Sequence, residues 1–525
     1  MKNLICCWAL VLLMAFSNAF GVSTWLGQKT LPDDGAAGDL FGSSVSINGQ
    51  FAAIGAEQDD SAKGSVYIFK RVAGTWVKTQ KLTASDGTTN NFFGRCVCIS
   101  GNYLIIGADG VESYKGAAYI YYYDGTSWSL QEKIVATDRT SSDDFGCSVS
   151  MSGNFAIVGA SGDDSSRGSA YIFQRDGSDW QFIQKISETN GTGSDFFSCS
   201  VGISGNLAIV GVYGDDDKTT NAGSAIVYGF NGTSWIQGTK LMASDGASGD
   251  NFGCSVAING LYAIIGSYYD DDPQSNSGSA YIFKYNSSSY IWSQMKLTPT
   301  GVDGGDLFGS SVCINGNNAI IGSKGDGNGS SYIFSLNGST WSQVQKLIAS
   351  DGALSDAFGN SVAIDGLYSI SGAYNDDDFG ISSGSAYVFE YVTLGSINLL
   401  APNGGENLIA RSDYDISWGT TGTIDYVNIS YSTNNGSNWT EIDTVPNNGA
   451  YTWMVADVNS NNCRLRVSDA GLTNVNDVSD NQFRIYQCRL YYDLNDDCLV
   501  DFKDFAELTS EWLMCGDPAN PDCLP

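Results

Sequence analysis

The 525-residue sequence contains no histidine. That removes the side chain that titrates nearest neutral pH, the commonest catalytic zinc ligand and every Ser-His or Cys-His dyad. An enzyme built on this chain would have to run on Asp, Glu, Tyr, Lys or Arg. Basic residues are few, 26 Lys and Arg against 57 Asp and Glu, for a net charge of −31. That balance disfavours nucleic acid and anionic membrane surfaces, since phosphate neutralisation needs Lys and Arg. It suits a protein that gathers cations or works in salt outside the cell. Proline is scarce, at 8 residues, while glycine is abundant, at 63. With many aromatics, this composition reads as all-β with tight turns.

Long apolar runs are also missing, apart from the first twenty residues. Lys2, the apolar stretch 4–16 and the small residues Ser17-Asn18-Ala19 or Ala19-Phe20-Gly21 predict a signal peptide over residues 1–21, hence export. The stretch is shorter than the roughly 20 residues that span a bilayer, which argues against an uncleaved anchor.

What the chain does contain is repetition. A pattern recurs seven times: Trp, Lys-Leu or similar, an Asp-Gly turn, Phe-Gly, an apolar strand, an Asn-Gly or Ser-Gly turn, a strand ending in Gly-Ala or Gly-Ser, an acidic loop, and a strand such as Ser-Ala-Tyr-Ile-Phe. The Phe falls at 41, 93, 145, 197, 252, 308 and 358, and the Trp at 25, 76, 128, 180, 235, 292 and 341. Each unit holds four short strands, and Val45 and Ile47 alternate with Ser44 and Ser46 as a half-buried strand requires. Four-stranded units repeated around an axis make a propeller. A Trp strand precedes the first Phe-Gly, and none follows the last unit. The N-terminal strand can therefore supply the outer strand of the seventh blade and close the ring, an offset that a solenoid would not need.

These repeats resemble the FG-GAP family, the blades of the integrin α propeller and its secreted bacterial relatives. The resemblance implies a seven-bladed β-propeller over residues 22–392. Integrin blades carry calcium loops between strands one and two. Here those connections are two-residue turns such as Asn48-Gly49 and Asn259-Gly260, so the integrin ligands do not carry over.

Strand direction places the loops from strand two to three and from strand four to one on the same face. The first set is acidic: Glu57, Asp59 and Asp60; Asp163 and Asp164; Asp215, Asp216 and Asp217; Asp270, Asp271 and Asp272; Asp376, Asp377 and Asp378. The second adds Asp34, Asp138, Asp245 and Asp351. Crowded carboxylates repel unless a cation or solvent intervenes, which makes this face a candidate for binding Ca²⁺, a ligand, or a ligand through Ca²⁺. The plainer reading is that Asp makes soluble turns. The repeated Trp and Phe-Gly read as packing between blades, and the Asp two before each Phe (Asp39, Asp143, Asp195, Asp250, Asp306, Asp356) as a turn cap. Cys147, Cys199 and Cys254 share one position in successive blades and read as small buried residues.

Beyond the repeats, residues 393–487 show short alternating strands at 414–418, 426–432, 439–442, 451–455, 463–468 and 483–486, the pattern of an immunoglobulin- or fibronectin-like β-sandwich. Residues 488–525 hold the sharpest motif. Asp493, Asn495, Asp497, the Leu499 carbonyl, Asp501 and Asp504 have EF-hand spacing for Ca²⁺, and Phe502, Phe505, Leu508, Trp512 and Leu513 follow at helical spacing. Loop and helix resemble half of a dockerin, which implies a cohesin-like partner. Two features depart from that pattern, Cys498 where Gly is expected and a single loop instead of two. Cys488, Cys498, Cys515 and Cys523 bracket this unit, with three disulfide pairings open.

The fold class expected is thus all-β: a propeller, a sandwich and a small calcium knot. The function expected is secreted or cell-surface adhesion, or binding of an extracellular protein or glycan, without catalysis. The alternative is a component, catalytic or not, of extracellular polysaccharide degradation, implied by the dockerin resemblance.

Overall fold

The computed structural model describes residues 23–393, 395–473 and 475–487, with residues 502, 503, 505, 506 and 509. The expected signal peptide, the calcium loop and the four bracketing cysteines lie outside the described residues.

Seven four-stranded antiparallel sheets make a seven-bladed propeller. In the first blade the strands Phe41–Asn48, Phe51–Ala56, Ser65–Val72 and Thr75–Leu82 pair in chain order. The second to sixth blades occupy 97–134, 145–186, 197–241, 255–297 and 308–347 in the same way. The seventh takes Ser361–Asp365, Tyr368–Ala373 and Ser385–Thr393, and its outer strand is Ser23–Thr30 from the other end of the repeats. The closure expected from the Trp offset is present.

The alternation within each first strand explains how blades join. Val45 and Ile47 enter an apolar core shared with blade seven, while Ser44 and Ser46 turn toward blade two. Ser44 Oγ donates to the Gly94 carbonyl at 2.7 Å, and Ser46 Oγ accepts the Ile99 amide at 2.9 Å. The Ser44 bond recurs from Ser148 to Ser198, Ser255 to Gly309, Ser311 to Gly359 and Ser361 to Gly42, the last closing the circle. Apolar cores lie between successive blades all the way round, seven in all.

The glycines of the two dipeptide motifs meet at these junctions. Gly55 of blade one faces the Gly94 carbonyl of blade two, and the pairs Gly107–Gly146, Gly211–Gly253, Gly266–Gly309, Gly322–Gly359 and Gly372–Gly42 repeat the contact. A Cβ on the first member of each pair would overlap the facing oxygen. In blade four Ser198 replaces the Phe-Gly glycine at φ +71, where a Cβ is disfavoured. Its hydroxyl bridges the Ser169 carbonyl and the Ala160 amide, at 2.6 and 3.1 Å.

The outer strands join in a second way. The Gln28 amide clamps Trp76 of the next blade, donating to its carbonyl and accepting its N–H, at 2.9 and 3.0 Å. Gln80 and Gln184 do the same to Trp128 and Trp235. Six of the seven Trp side chains are buried, and several meet an aromatic of the preceding blade edge-on, such as Trp128 on Phe51 at 5.5 Å. This is the packing role read from their periodicity. The turns between strands one and two, on the far face, place Gly at the first of two turn positions with φ near +60, as at Gly49 (+56) and Gly101 (+60).

The unit after residue 391 is a separate body. A three-stranded sheet (Ser396–Ala401, Asp413–Thr421, Ala450–Met454) and a larger sheet built on Tyr426–Ser432, Thr440–Pro446, Ser460–Asp469 and Phe483–Tyr486 share one core around Trp418, Trp453, Ile429 and Leu465. The six strands expected here are present. Ser396–Ala401, Asn407–Ile409 and Asn476–Val478 are additional; the last two are only three residues each, too short for an alternation to register.

Candidate functional site

The loops from strands two to three and four to one do share a face, and a lysine joins them in most blades. In blade one Lys81, near the end of the fourth strand, reaches Asp34 and Asp59, both at 2.6 Å. The Tyr67 hydroxyl donates to the same two carboxylates, at 2.9 and 3.2 Å. Blade five repeats the arrangement with Lys296, Asp245, Asp270 and Tyr281, blade seven with Lys29, Asp351, Asp376 and Tyr387. Blade three pairs Lys185 with Asp138 and Asp163. In blade two Val111 stands at the loop position, and Lys133 keeps Asp86.

Blade four departs from the pattern. Ile226 stands where the other blades have Tyr, and Glu188 takes the part of the turn aspartate. Lys240 pairs with Glu188 at 2.8 Å and with Asp215 and Asp217. Carboxylate oxygens of these three acids lie within 4.8 Å of one another, close enough to hold a cation, and the Lys240 ammonium stands among them.

The electrostatics follow. Burial pulls the ammonium groups of Lys29, Lys185, Lys240 and Lys296 down, but hydrogen bonds to their carboxylates outweigh it and hold all four above the ordinary lysine range. Burial raises Glu188, with Lys240 opposing. Buried carboxylates are tolerated when paired, and a lysine pairs with each of these.

The thirteen aspartates singled out on this face therefore divide into two sets. Asp59, Asp163, Asp215, Asp270 and Asp376 are buried beneath the loops in these ion pairs. Asp60, Asp164, Asp216, Asp217, Asp271, Asp272, Asp377 and Asp378 are exposed, and Asp217, Asp272 and Asp378 also reach the blade lysines from the surface. Three of them brace their own loops: Asp216, Asp271 and Asp377 accept the amides of Asn221, Asn276 and Ser382. The aspartates before Phe-Gly cap turns as expected, Asp39 accepting the Ala36 amide at 2.7 Å and Asp250 the Ala247 amide at 2.6 Å. Sequence reading missed the lysines. Their signal was present, as a Lys at one repeat position facing a Tyr at another, but cross-strand register is needed to join the two. The Ca²⁺ ligands expected in the tail, Asp493 to Asp504, lie outside the described residues.

At the end of the second strands the repeat gives way to individual residues. Arg95 Nη1 lies 3.2 and 3.0 Å from the two Glu57 oxygens, and its Nε 3.5 Å from Asp109 Oδ2. Asp109 is buried, and its Oδ1 has no hydrogen-bond donor. Burial pushes the Asp109 carboxyl up to about 7; Arg95 opposes, and Glu57 and Asp144 add to the rise. Cys147, Cys199 and Cys254 are half-buried and not fully enclosed, because they follow Phe-Gly where the first strands open. Burial raises all three thiols, which makes them poor nucleophiles at neutral pH.

With this geometry in hand, comparison with known proteins places the chain. The FG-GAP repeat matches seven segments: 26–69, 76–121, 128–173, 180–228, 235–283, 292–334 and 341–389. Each begins on the outer strand of one blade and ends on the third strand of the next, so the sequence unit is offset from the sheet by one strand. No curated protein matches the chain. Among solved structures, a candidate 6-phosphogluconolactonase from Bacteroides uniformis ATCC 8492 is 12% identical, with a TM-score of 0.42, covering 61% of this chain and 87% of its own. The β-propeller domain of the Trilobed protease from Pyrococcus furiosus is 11% identical, with a TM-score of 0.39, covering 63% and 90%. Polysaccharide lyase Uly1 is 10% identical, with a TM-score of 0.39, covering 69% and 92%. No activity is carried over from these likenesses.

Two outcomes follow from the ion pairs. Lys240→Met strands buried carboxylates and should destabilise the chain by about 3 kcal/mol in thermal melts. Added Ca²⁺ should raise the melting temperature of that variant by more than it raises the parent's. Asp109 should also leave a pH signature. Its folded pKa is raised, so between about 4 and about 7 the folded chain keeps a proton that the unfolded chain releases, and stability falls as pH rises through that window. Asp109→Asn should flatten this fall, by at most about 4 kcal/mol, in denaturant titrations at successive pH values.

Proposed function

The chain belongs to the FG-GAP repeat family, and on that premise we propose that it is a secreted binding protein, not an enzyme, whose propeller engages an extracellular protein or glycan through its loop face. The observation that carries this reading is the division among the aspartates. The buried carboxylates recur from blade to blade in structural ion pairs with lysine, so the repeated acid serves as scaffolding. A catalytic pair among these recurring acids would need unlike environments, as the two carboxylates of a glycosidase have, and the blade lysines give them alike ones. The exposed aspartates around that scaffolding then present a rigid, negatively charged surface, suited to adhesion.

The rest of the chain extends the reading. Residues 1–21 direct export, and residues 393–487 serve as an immunoglobulin-like spacer; two sheets around one core support the latter. The tail binds Ca²⁺ through Asp493, Asn495, Asp497, the Leu499 carbonyl, Asp501 and Asp504, and its dockerin-like helix tethers the protein to a cohesin-like partner. The helical assignment of residues 502, 503, 505 and 506, directly after the loop, is in keeping with that.

Calcium titration calorimetry on the full chain tests the assignment of the metal to the tail. About one Ca²⁺ per chain is expected, lost on replacing Asp493 and Asp501 together by Ala. Undiminished binding by that variant would move the calcium to the propeller.

A further inference from the structure

A sevenfold repeat offers the same space seven times, so the one place left unfilled is informative. In each blade the loop after the second strand lies beside the loop leaving the fourth, and side chains cross between them. In blade two Arg139 donates from Nη1 to the Gly116 carbonyl at 2.7 Å and from Nη2 to Glu112 at 3.0 Å. In blade three Arg167 reaches the Glu188 and Thr189 carbonyls, at 2.9 and 3.4 Å. In blade four Lys218 reaches those of Ala243 and Ser244, at 2.7 and 3.0 Å. Gln274 and Asn328 make the same kind of bond in blades five and six, to the Val302 and Gly352 carbonyls. In blade seven Phe379 fills the place, against Gly35.

Blade one is the exception among the described residues. Lys63, at the position of Arg167, turns back to Asp60 at 2.8 Å. Gly87 stands where blade two has Arg139, each four residues before its turn cap, Asn91 or Asp143. The nearest atoms to a Cβ on Gly87 are those of Ala84, in its own loop. At Gly191, Gly246 and Gly352 the crossing side chains Arg167, Lys218 and Asn328 come within 4 Å of that Cβ. What remains in blade one is a cavity of about 630 Å³, in the range of small-molecule sites. Blade three, with Arg167 in place, keeps a smaller one of about 390 Å³.

The walls define what fits. Gly64 and Asp60, counterparts of the Gly116 and Glu112 that hold Arg139, both line the cavity. So does Ala84, counterpart of the Ala243 that holds Lys218. Asp34, Asp39, Asp59 and Asp60 outnumber Lys63 and Lys81 around it, which favours a cation. Ser65, on the same wall, is fully buried and its hydroxyl has no partner, whereas its counterparts Ser224 and Ser385 donate to Asp215 and Asp376. These carboxylates do not converge as Glu188, Asp215 and Asp217 do, so a bare metal ion is poorly matched. A guanidinium or an ammonium presents N–H groups to several acceptors at once and meets each demand. Resting on the binding function proposed above, we propose that the blade-one cavity binds an organic cation, a guanidinium or primary ammonium on an aliphatic stem, in the place that Arg139 and Lys218 fill in other blades.

Saturation-transfer difference NMR on the full chain at about 0.15 M salt tests this. The probes are agmatine and cadaverine as free cations, a neutral diol of the same length, and an arginine peptide with its citrulline counterpart. Agmatine or the arginine peptide should receive saturation, and the diol and the citrulline peptide should not. Gly87→Arg restores the blade-two arginine and should weaken binding about tenfold, as should Asp60→Asn, which serves if Gly87→Arg fails to fold. Asp176→Asn, at the far end of a third strand, makes the same change of charge and should leave binding intact. Binding of the peptide alone assigns the site to a side chain of a protein partner, and binding of agmatine as well assigns it to free cations too. No saturation of any cation, equal saturation of the diol, or equal weakening by Asp176→Asn and Asp60→Asn would overturn the proposal. So would a folded Gly87→Arg chain that binds undiminished. A chain that binds a glycan or a protein at its loop face but no organic cation would keep the binding function and remove this site.

Discussion

Backbone meets backbone between the blades of this propeller, and the rest of the structure depends on that approach. Glycines closing the second strands face glycine carbonyls opening the first strands of the next blade, at a separation that excludes a Cβ. The close approach brings the Ser44-type hydroxyls within hydrogen-bonding reach of those carbonyls and lets apolar side chains of adjacent blades share cores. It also fixes the rotation from one blade to the next, so that the last junction, Gly372 on Gly42, is built like the others and the ring closes on the N-terminal strand. The exception, Ser198, holds its strained φ with two buried hydrogen bonds.

A tight ring draws the loops of strands two to three and four to one together, and with them their acids. The lysine near the end of the outer strand answers that crowding from within the blade. Its ammonium stands where several carboxylates converge, so the innermost acids contribute to the fold more than to the surface. A net charge of −31 then resides mainly on exposed side chains, where solvent screens it.

The parts legible in the sequence were those set by period and spacing. Phe-Gly, Gly-Ala and Trp at constant intervals implied seven blades, and the unmatched Trp25 strand implied how the ring closes. Asp39 and its equivalents were readable as caps because the bond is local, three residues back. The Lys81–Asp34–Asp59 cluster was not readable, because its members sit on different strands and loops and meet only through register. The Arg95 ion pairs at the ends of the second strands escaped for the opposite reason. Repeat analysis discards variable positions as noise, and Arg95 and Asp109 lie at such positions, whereas Glu57 was readable as one acid of the loop face without its partners. In the second unit, the six strands with clear alternation were readable, whereas three-residue strands such as Asn407–Ile409 carry too little pattern.

The account rests on steric exclusion between glycines of adjacent blades, and thermal unfolding of paired alanine variants tests it most directly. Gly107→Ala drives a Cβ into the Gly146 carbonyl oxygen, whereas Gly229→Ala, in a strand of blade four, meets nothing within 4 Å. Gly107→Ala should lower stability by about 3 kcal/mol or more and Gly229→Ala by less than about 1 kcal/mol. Equal, small effects of the two substitutions would contradict the account.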